Sequence, residues 1–167
     1  NYSLIFNNQN IQKSADFQYL RLNLESAGNI LSTSYKLLNI DSPTGNYELF
    51  NTEFAQYLRG DIDLRYYSIL NKHNSIVYRL FAGAGLPYGN SNALPFEKKY
   101  FSGGSNSVRA WQVRNLGPGS YIEENTSNYP NKTADIKLEA NIEYRFKLFW
   151  LLEGALFIDA GNIWAIN

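Results

Sequence analysis

Neither cysteine nor methionine occurs anywhere in the 167 residues. The missing cysteine excludes disulfides, thiolate nucleophiles and cysteine-ligated zinc together. The missing methionine, with no basic-plus-apolar leader, leads us to expect a mature segment or internal fragment rather than a complete gene product. Charge of either sign is not in excess: 15 basic residues balance 15 acidic ones, and neither is gathered into a long run, which argues against nucleic acid as a partner. No apolar run approaches the roughly 18 residues that a membrane-spanning helix requires. The single histidine, His73, lies among Asn and Lys in an expected turn and is a poor candidate for a base or ligand. Gly103-Gly104 has neither of the spacings that cradle a phosphate. The expectation is therefore of no catalytic residue, no cofactor and no metal.

What the chain does have is aromatic residues, 13 Tyr, 10 Phe and 3 Trp, against only 18% charged. Such enrichment favours strands and, at a membrane, interfacial girdles. From Tyr57 to Tyr67 one parity reads Tyr57, Arg59, Asp61, Asp63, Arg65, Tyr67 and the other Leu58, Gly60, Ile62, Leu64, Tyr66. The length matches the roughly 9–11 residues a tilted strand needs to cross a bilayer. Asp135 to Phe146 repeats the pattern, with Lys137, Glu139, Asn141, Glu143 and Arg145 opposing Ile136, Leu138, Ala140, Ile142, Tyr144 and Phe146. A soluble sandwich rarely carries charge along a whole strand face, whereas a polar lumen and a lipid-facing exterior accommodate it. The mean hydropathy of −0.36 fits, because alternating strands average out. Asp61 and Asp63 share a strand face, but Arg59 and Arg65 beside them make a charge ladder the better reading than a carboxylate pair or metal site.

Four further strands are expected at Tyr2 to Asn8, Phe17 to Ser26, Ile76 to Leu86 and Leu152 to Asn162. Short connections (8–16, 69–75, 147–151) alternate with long ones (27–53, 87–134), as in barrels with short periplasmic turns and long outer loops. Residues 27–38 have the apolar clustering of a short helix, and Pro43-Thr-Gly45 reads as a turn. The loop over 87–134 is far longer than a connector needs, and it carries Phe101, Val108, Trp111 and Leu116, which disorder disfavours. We expect part of it to fold back and pack, with Val108 and Trp111 flanking Arg109. Asn125-Thr-Ser127 and Asn131-Lys-Thr133 fit a glycosylation pattern, a match too short to carry weight.

Two motifs add a resemblance. Val108-Arg109-Ala110-Trp111 is similar to the Val-Arg-Gly-aromatic loop signature of the BamA/TamA superfamily of outer-membrane barrels, the bacterial surface antigen family. Phe157-Ile-Asp159-Ala-Gly161 resembles that family's Phe-x-Asp-x-Gly strand signature. The likeness covers about residues 47 to 164. It implies that the 87–134 loop is the sixth extracellular loop, folded into the barrel, and that Arg109 bonds Asp159 on the thirteenth strand and Glu143 on the twelfth. The family usually has Gly at the place of Ala110; if the site needs positive φ, Ala adds strain there.

The expected fold is thus all-β: an antiparallel transmembrane barrel segment, residues 1–167, supplying about six strands of a sixteen-stranded barrel with a long in-folded extracellular loop. The resemblance implies a non-enzymatic barrel in the bacterial outer membrane that inserts or translocates proteins. Its expected partners are outer-membrane lipid, client outer-membrane or secreted proteins, and the remaining strands and periplasmic domains outside this segment. A two-partner secretion barrel, a lipase-fused member and a passive porin-like channel are the alternatives, and a soluble all-β binding module is the third class.

Overall fold

The computed structural model describes residues 1–10, 15–40, 45–120 and 131–166. In chain order the elements are β1 (Tyr2–Asn7), β2 (Phe17–Ala27), α1 (Asn29–Leu37), β3 (Glu48–Leu49), β4 (Thr52–Glu53), β5 (Tyr57–Ile69), β6 (Asn74–Pro87), β7 (Ile136–Phe149) and β8 (Leu152–Trp164). A 3₁₀ turn at Phe96–Lys98 lies in the long loop. The six long strands form one antiparallel sheet in the order β1-β2-β5-β6-β7-β8, and β3 and β4 form a separate two-stranded ribbon.

The alternation read from the sequence fixes how this sheet pairs. Asp63 stands opposite Arg21 on β2 and Phe81 on β6, and Asn141 stands opposite Asp159. Because neighbours in a ladder share a face, one charged parity propagates across every strand. The other face is apolar and exposed: Leu58, Leu64, Leu138, Ile142, Tyr144 and Ile158 all present their side chains there. Tyr66 and Tyr78 stack on that face with ring centroids 6.2 Å apart. β5 and β8 contain 13 residues, β6 and β7 14. At about 3.4 Å per residue a strand of that size runs about 44 Å, or about 34 Å along the normal at a 40° tilt, enough to cross the roughly 25 Å apolar band of an outer-membrane barrel.

The buried apolar residues lie on the charged side of the sheet. Tyr57, Val77, Phe81 and Ile163 from the strands and Leu94, Tyr100 and Val108 from the long loop are all buried. The core is therefore the seam between loop and sheet, and folding the loop onto the sheet is what creates it.

Half of the expected strand limits are exceeded by one to three residues, the ladder continuing past the last residue of clear alternation, while β1 ends one residue early and β7 starts one residue late. Helix α1 falls inside the segment expected to be helical, starting after Gly28 at φ 77°. The β3–β4 ribbon was not anticipated: with two residues per strand it is too short to show a period. The turn expected at Pro43-Thr-Gly45 and the Asn125-Thr-Ser127 site lie, wholly or in part, outside the described residues.

Candidate functional site

Residues 100–119 of the long loop lie across the charged face of β5 to β8. Their path depends on Gly103 and Gly104, at φ 99° and 94°, a region where a β-carbon is disfavoured. A β-carbon at Gly103 would also collide with the carbonyl oxygen of Gln112. Gly104 N–H donates to the carbonyl of Trp111 at 2.8 Å, which closes the tip into a compact turn with Arg109 at its end.

Arg109 points at the β7–β8 pair. Its Nε and Nη2 donate to Asp159 Oδ2 and Oδ1, both at 2.8 Å, and its backbone N–H donates to Oδ2 at 3.0 Å. Its Nη1 donates to Glu143, and the guanidinium lies 3.7 Å from the ring centroid of Phe157. The planar fork of arginine suits such bidentate pairing. The paired carboxylates, Asp159 foremost, raise the Arg109 pKa further above its ordinary value, so the charge is permanent. The structure thus brings together Arg109, Asp159, Glu143 and Phe157.

Two other loop residues behave differently from expectation. Val108 is buried, but Trp111 is 47% exposed and does not pack beside Arg109. The tight turn directs its indole away from the sheet, while its carbonyl does the structural work. Ala110 is exposed and is not among the residues with positive φ, which between residues 100 and 119 are Gly103, Gly104, Arg114, Gly117 and Gly119. The strain anticipated for Ala110 is therefore absent, because the left-handed positions have been taken by the glycines before and after it.

A second anchor holds the loop base, and sequence reasoning did not assign it. Glu139, whose side chain is fully buried, accepts from Ser102 Oγ at 2.7 Å and from Ser107 Oγ, and pairs with Lys137 Nζ at 2.9 Å. Gly161 makes room for this: a β-carbon there would come within 2.7 Å of Glu139 Cγ and 2.8 Å of the Leu138 carbonyl. Asn141 connects the two anchors, its Nδ2 donating to Asp159 Oδ1 at 2.8 Å and to the Ser107 carbonyl at 3.0 Å. Tyr100 donates its hydroxyl to the Gly60 carbonyl at 2.9 Å, and burial pushes its pKa up to about 12. Its ring lies where a β-carbon on Gly83 would sit. The parity of Glu139 and Asn141 put them on the right face, but nothing in the sequence says which residues of a distant loop would meet them.

The same face carries a cationic cluster around Asp63. Asp63 is fully buried, accepts two bonds from Arg65 at 2.9 Å and pairs with Arg79 at 3.1 Å. Arg79 Nη1 in turn donates to the loop carbonyl of Asn106 at 2.9 Å. The charge ladder expected from Arg59, Asp61, Asp63 and Arg65 is thus a network that also reaches the loop. Among the described residues no three metal-ligating side chains cluster, and none of their helices is long and apolar enough to cross a membrane.

Comparison with known proteins gives this geometry a family. Part of the chain resembles outer membrane protein assembly factor BamA of Neisseria meningitidis serogroup B, at 33% identity over 88 residues, a stretch covering 46% of this chain and 10% of that protein. The match thus spans only about a tenth of the relative's length. Residues 5–167, nearly the whole chain, match the Omp85 superfamily domain, and the chain belongs to the Omp85 superfamily.

Proposed function

We propose that this chain forms part of a non-enzymatic outer-membrane barrel of about sixteen strands, of the BamA/TamA type, that inserts or translocates proteins. The charged face is the lumen, and the apolar face of Leu58, Leu64, Leu138, Ile142 and Ile158 meets lipid. Residues 1–167 act as one partial barrel domain, completed by further strands and periplasmic domains. The observation that carries this reading is the pairing of Arg109 with Asp159 and Glu143, which seats a long outer loop inside the lumen. The match to the Omp85 superfamily domain and the likeness to an assembly factor over 88 residues favour client handling over a passive pore. Val108, Arg109, Ala110 and Trp111 then serve as the loop-lock segment, with Asp159 and Glu143 as its lumenal acceptors and Phe157 and Gly161 as the strand positions that shape it.

The test is rescue of cells depleted of the full-length protein. The wild-type gene should restore folded outer-membrane proteins, measured as heat-modifiable species, and Arg109→Ala should restore them several-fold less at equal barrel abundance. Normal assembly in depleted cells, with loss only of one secreted partner, would instead assign a two-partner secretion role. Normal assembly with loss of solute uptake alone would point to a porin.

A further inference from the structure

A cavity of about 410 Å³ opens on the charged face beneath the loop tip, and its walls are strongly cationic. Arg21, Arg65, Arg79, Arg109 and Arg145 line it, against only two carboxylates, Asp63 and Glu143. Asp61, Glu139 and Asp159 pair with these arginines from behind the wall, so the five cations meet five carboxylates in all. The five cations are unequally used. Arg109 is fully engaged by the loop lock, and Arg79 is divided between Asp63, Glu139 and the Asn106 carbonyl. Arg21 reaches Asp61 and Asp63 only at 3.9 and 3.8 Å, and its buried Nε has no hydrogen-bond partner among the described residues. Arg145 engages Glu143 Oε1 through Nε at 2.6 Å, yet its side chain remains 52% exposed. The carboxylates are the buried partners, Asp61, Asp63, Glu139 and Asp159 being at most 5% exposed, whereas Arg21, Arg65 and Arg145 are 35%, 36% and 52% exposed, so the cavity presents guanidinium rather than carboxylate to an incoming group.

The spacing says what kind of anion. Arg21 is on β2 and Arg145 on β7, three strand intervals apart, about 14 Å across the sheet. In the ladder Arg21 is level with Asp63, Arg65 is level with Arg79, and Arg145 is level with Ser75 and hence Ile69. The cations therefore descend diagonally over about 20 Å of strand. One small ion cannot touch them all. An extended polypeptide carrying several carboxylates can, taking the guanidinium nitrogens that Asp63 and Glu143 leave free on Arg65 and Arg145. Lipid phosphate is excluded by topology, since these arginines are on the face opposite Leu64, Ile142 and Tyr144.

We propose that this cavity binds an acidic, extended segment of polypeptide in the lumen, with Arg21, Arg65 and Arg145 as its contacts. The inference rests on the proposed handling of client chains and names the chemistry of the segment handled. Because Ser105, Asn106 and Ser107 of the loop form the cavity roof, a bound segment also touches the loop that Arg109 locks.

The test uses the full-length protein in nanodiscs and a fluorescent eight-residue peptide of alternating Asp and Gly, read by anisotropy. The acidic peptide should bind, weaken as salt is raised from 50 to 300 mM, and lose about tenfold in affinity in Arg21→Gln/Arg145→Gln. Arg145→Gln alone should lose about threefold, and Arg145→Lys should lose less than Arg145→Gln because it keeps the charge but not the planar fork; Arg145 is half exposed, so these variants will fold. An Asn-for-Asp peptide should not bind. Equal binding of the neutral peptide, indifference to the arginine substitutions, or arginine-dependent binding of inorganic phosphate without the acidic peptide would each overturn the proposal. If the full-length protein rescues depleted cells but no acidic peptide binds, this inference alone fails. If the peptide binds but no rescue occurs, the client-handling reading fails and the anion site stands.

Discussion

Replacing Arg109 with Ala removes two side-chain hydrogen bonds to Asp159, one to Glu143 and the stacking on Phe157, and the backbone N–H bond to Asp159 persists only while the tip stays in place. The stranded group is Asp159, whose side chain is 4% exposed; Asn141 Nδ2, at 2.8 Å, remains as a donor. Breaking a fully buried pair costs about 3–5 kcal/mol and an exposed one about 0–1 kcal/mol. Arg109 and Glu143 are 21% and 18% exposed, so the site is intermediate, and the one surviving donor moderates the loss. About 2–3 kcal/mol follows, a roughly 30- to 150-fold rise in the open population of the tip. The effect should be local. Amides of residues 108–112 should exchange faster, whereas those of Tyr100 and Gly103, bonded to the Ala134 carbonyl and Ser107 Oγ, should keep their protection. Asp159→Asn should act similarly, and the double variant should be no worse than either alone, since both remove one interaction. Additive effects in that cycle, or uniform loss of protection from Tyr100 to Gly119, would refute the reasoning.

Glu139→Gln should loosen the loop base instead, leaving Lys137 without its buried partner, so that proteolysis moves toward residues 100–104 while Arg109 stays docked; cleavage mapping by mass spectrometry checks this. Spin labels at positions 58, 64, 138, 142 and 158 should be oxygen-accessible in lipid and those at 63, 139 and 159 should not; the reverse pattern would mean that the faces are inverted. At the β5–β6 turn, Asp16 accepts from the Tyr66 hydroxyl and the Ile69 N–H, both at 2.7 Å. These bonds, the Tyr66 contact first, lower its pKa from 3.8. A depressed carboxyl contributes stability above its unfolded pKa and loses it as pH falls through the folded value. The turn should therefore loosen only below about pH 3.8, as read by Ile69 amide exchange, and Asp16→Asn should abolish that dependence.

Strand identity, facing and the antiparallel meander were legible in the sequence because each is a local consequence of period two. Once Arg59, Asp61, Asp63 and Arg65 share a parity, pairing carries the charge across neighbouring strands. Arg109, Asp159 and Glu143 were legible for a different reason, as members of two short motifs in a resemblance. What the sequence left open concerns contacts between segments far apart in the chain. Glu139 looked like one more charge in a ladder, and only the descent of the loop places Ser102 and Ser107 on it. Gly83 carried no signal of its own and Gly161 was read only as part of the strand motif, yet they are the positions where Tyr100 and Glu139 need the space. Trp111 read as a packing residue because it is large and apolar, but a turn closed by Gly104 sends its indole outward. Alternation along one strand thus determined the sheet and its two faces, since side-chain direction is set residue by residue. The second loop anchor, at Glu139, and the arginine-lined cavity were decided by tertiary structure alone, because they depend on where the long loop comes to rest, and no local periodicity encodes that.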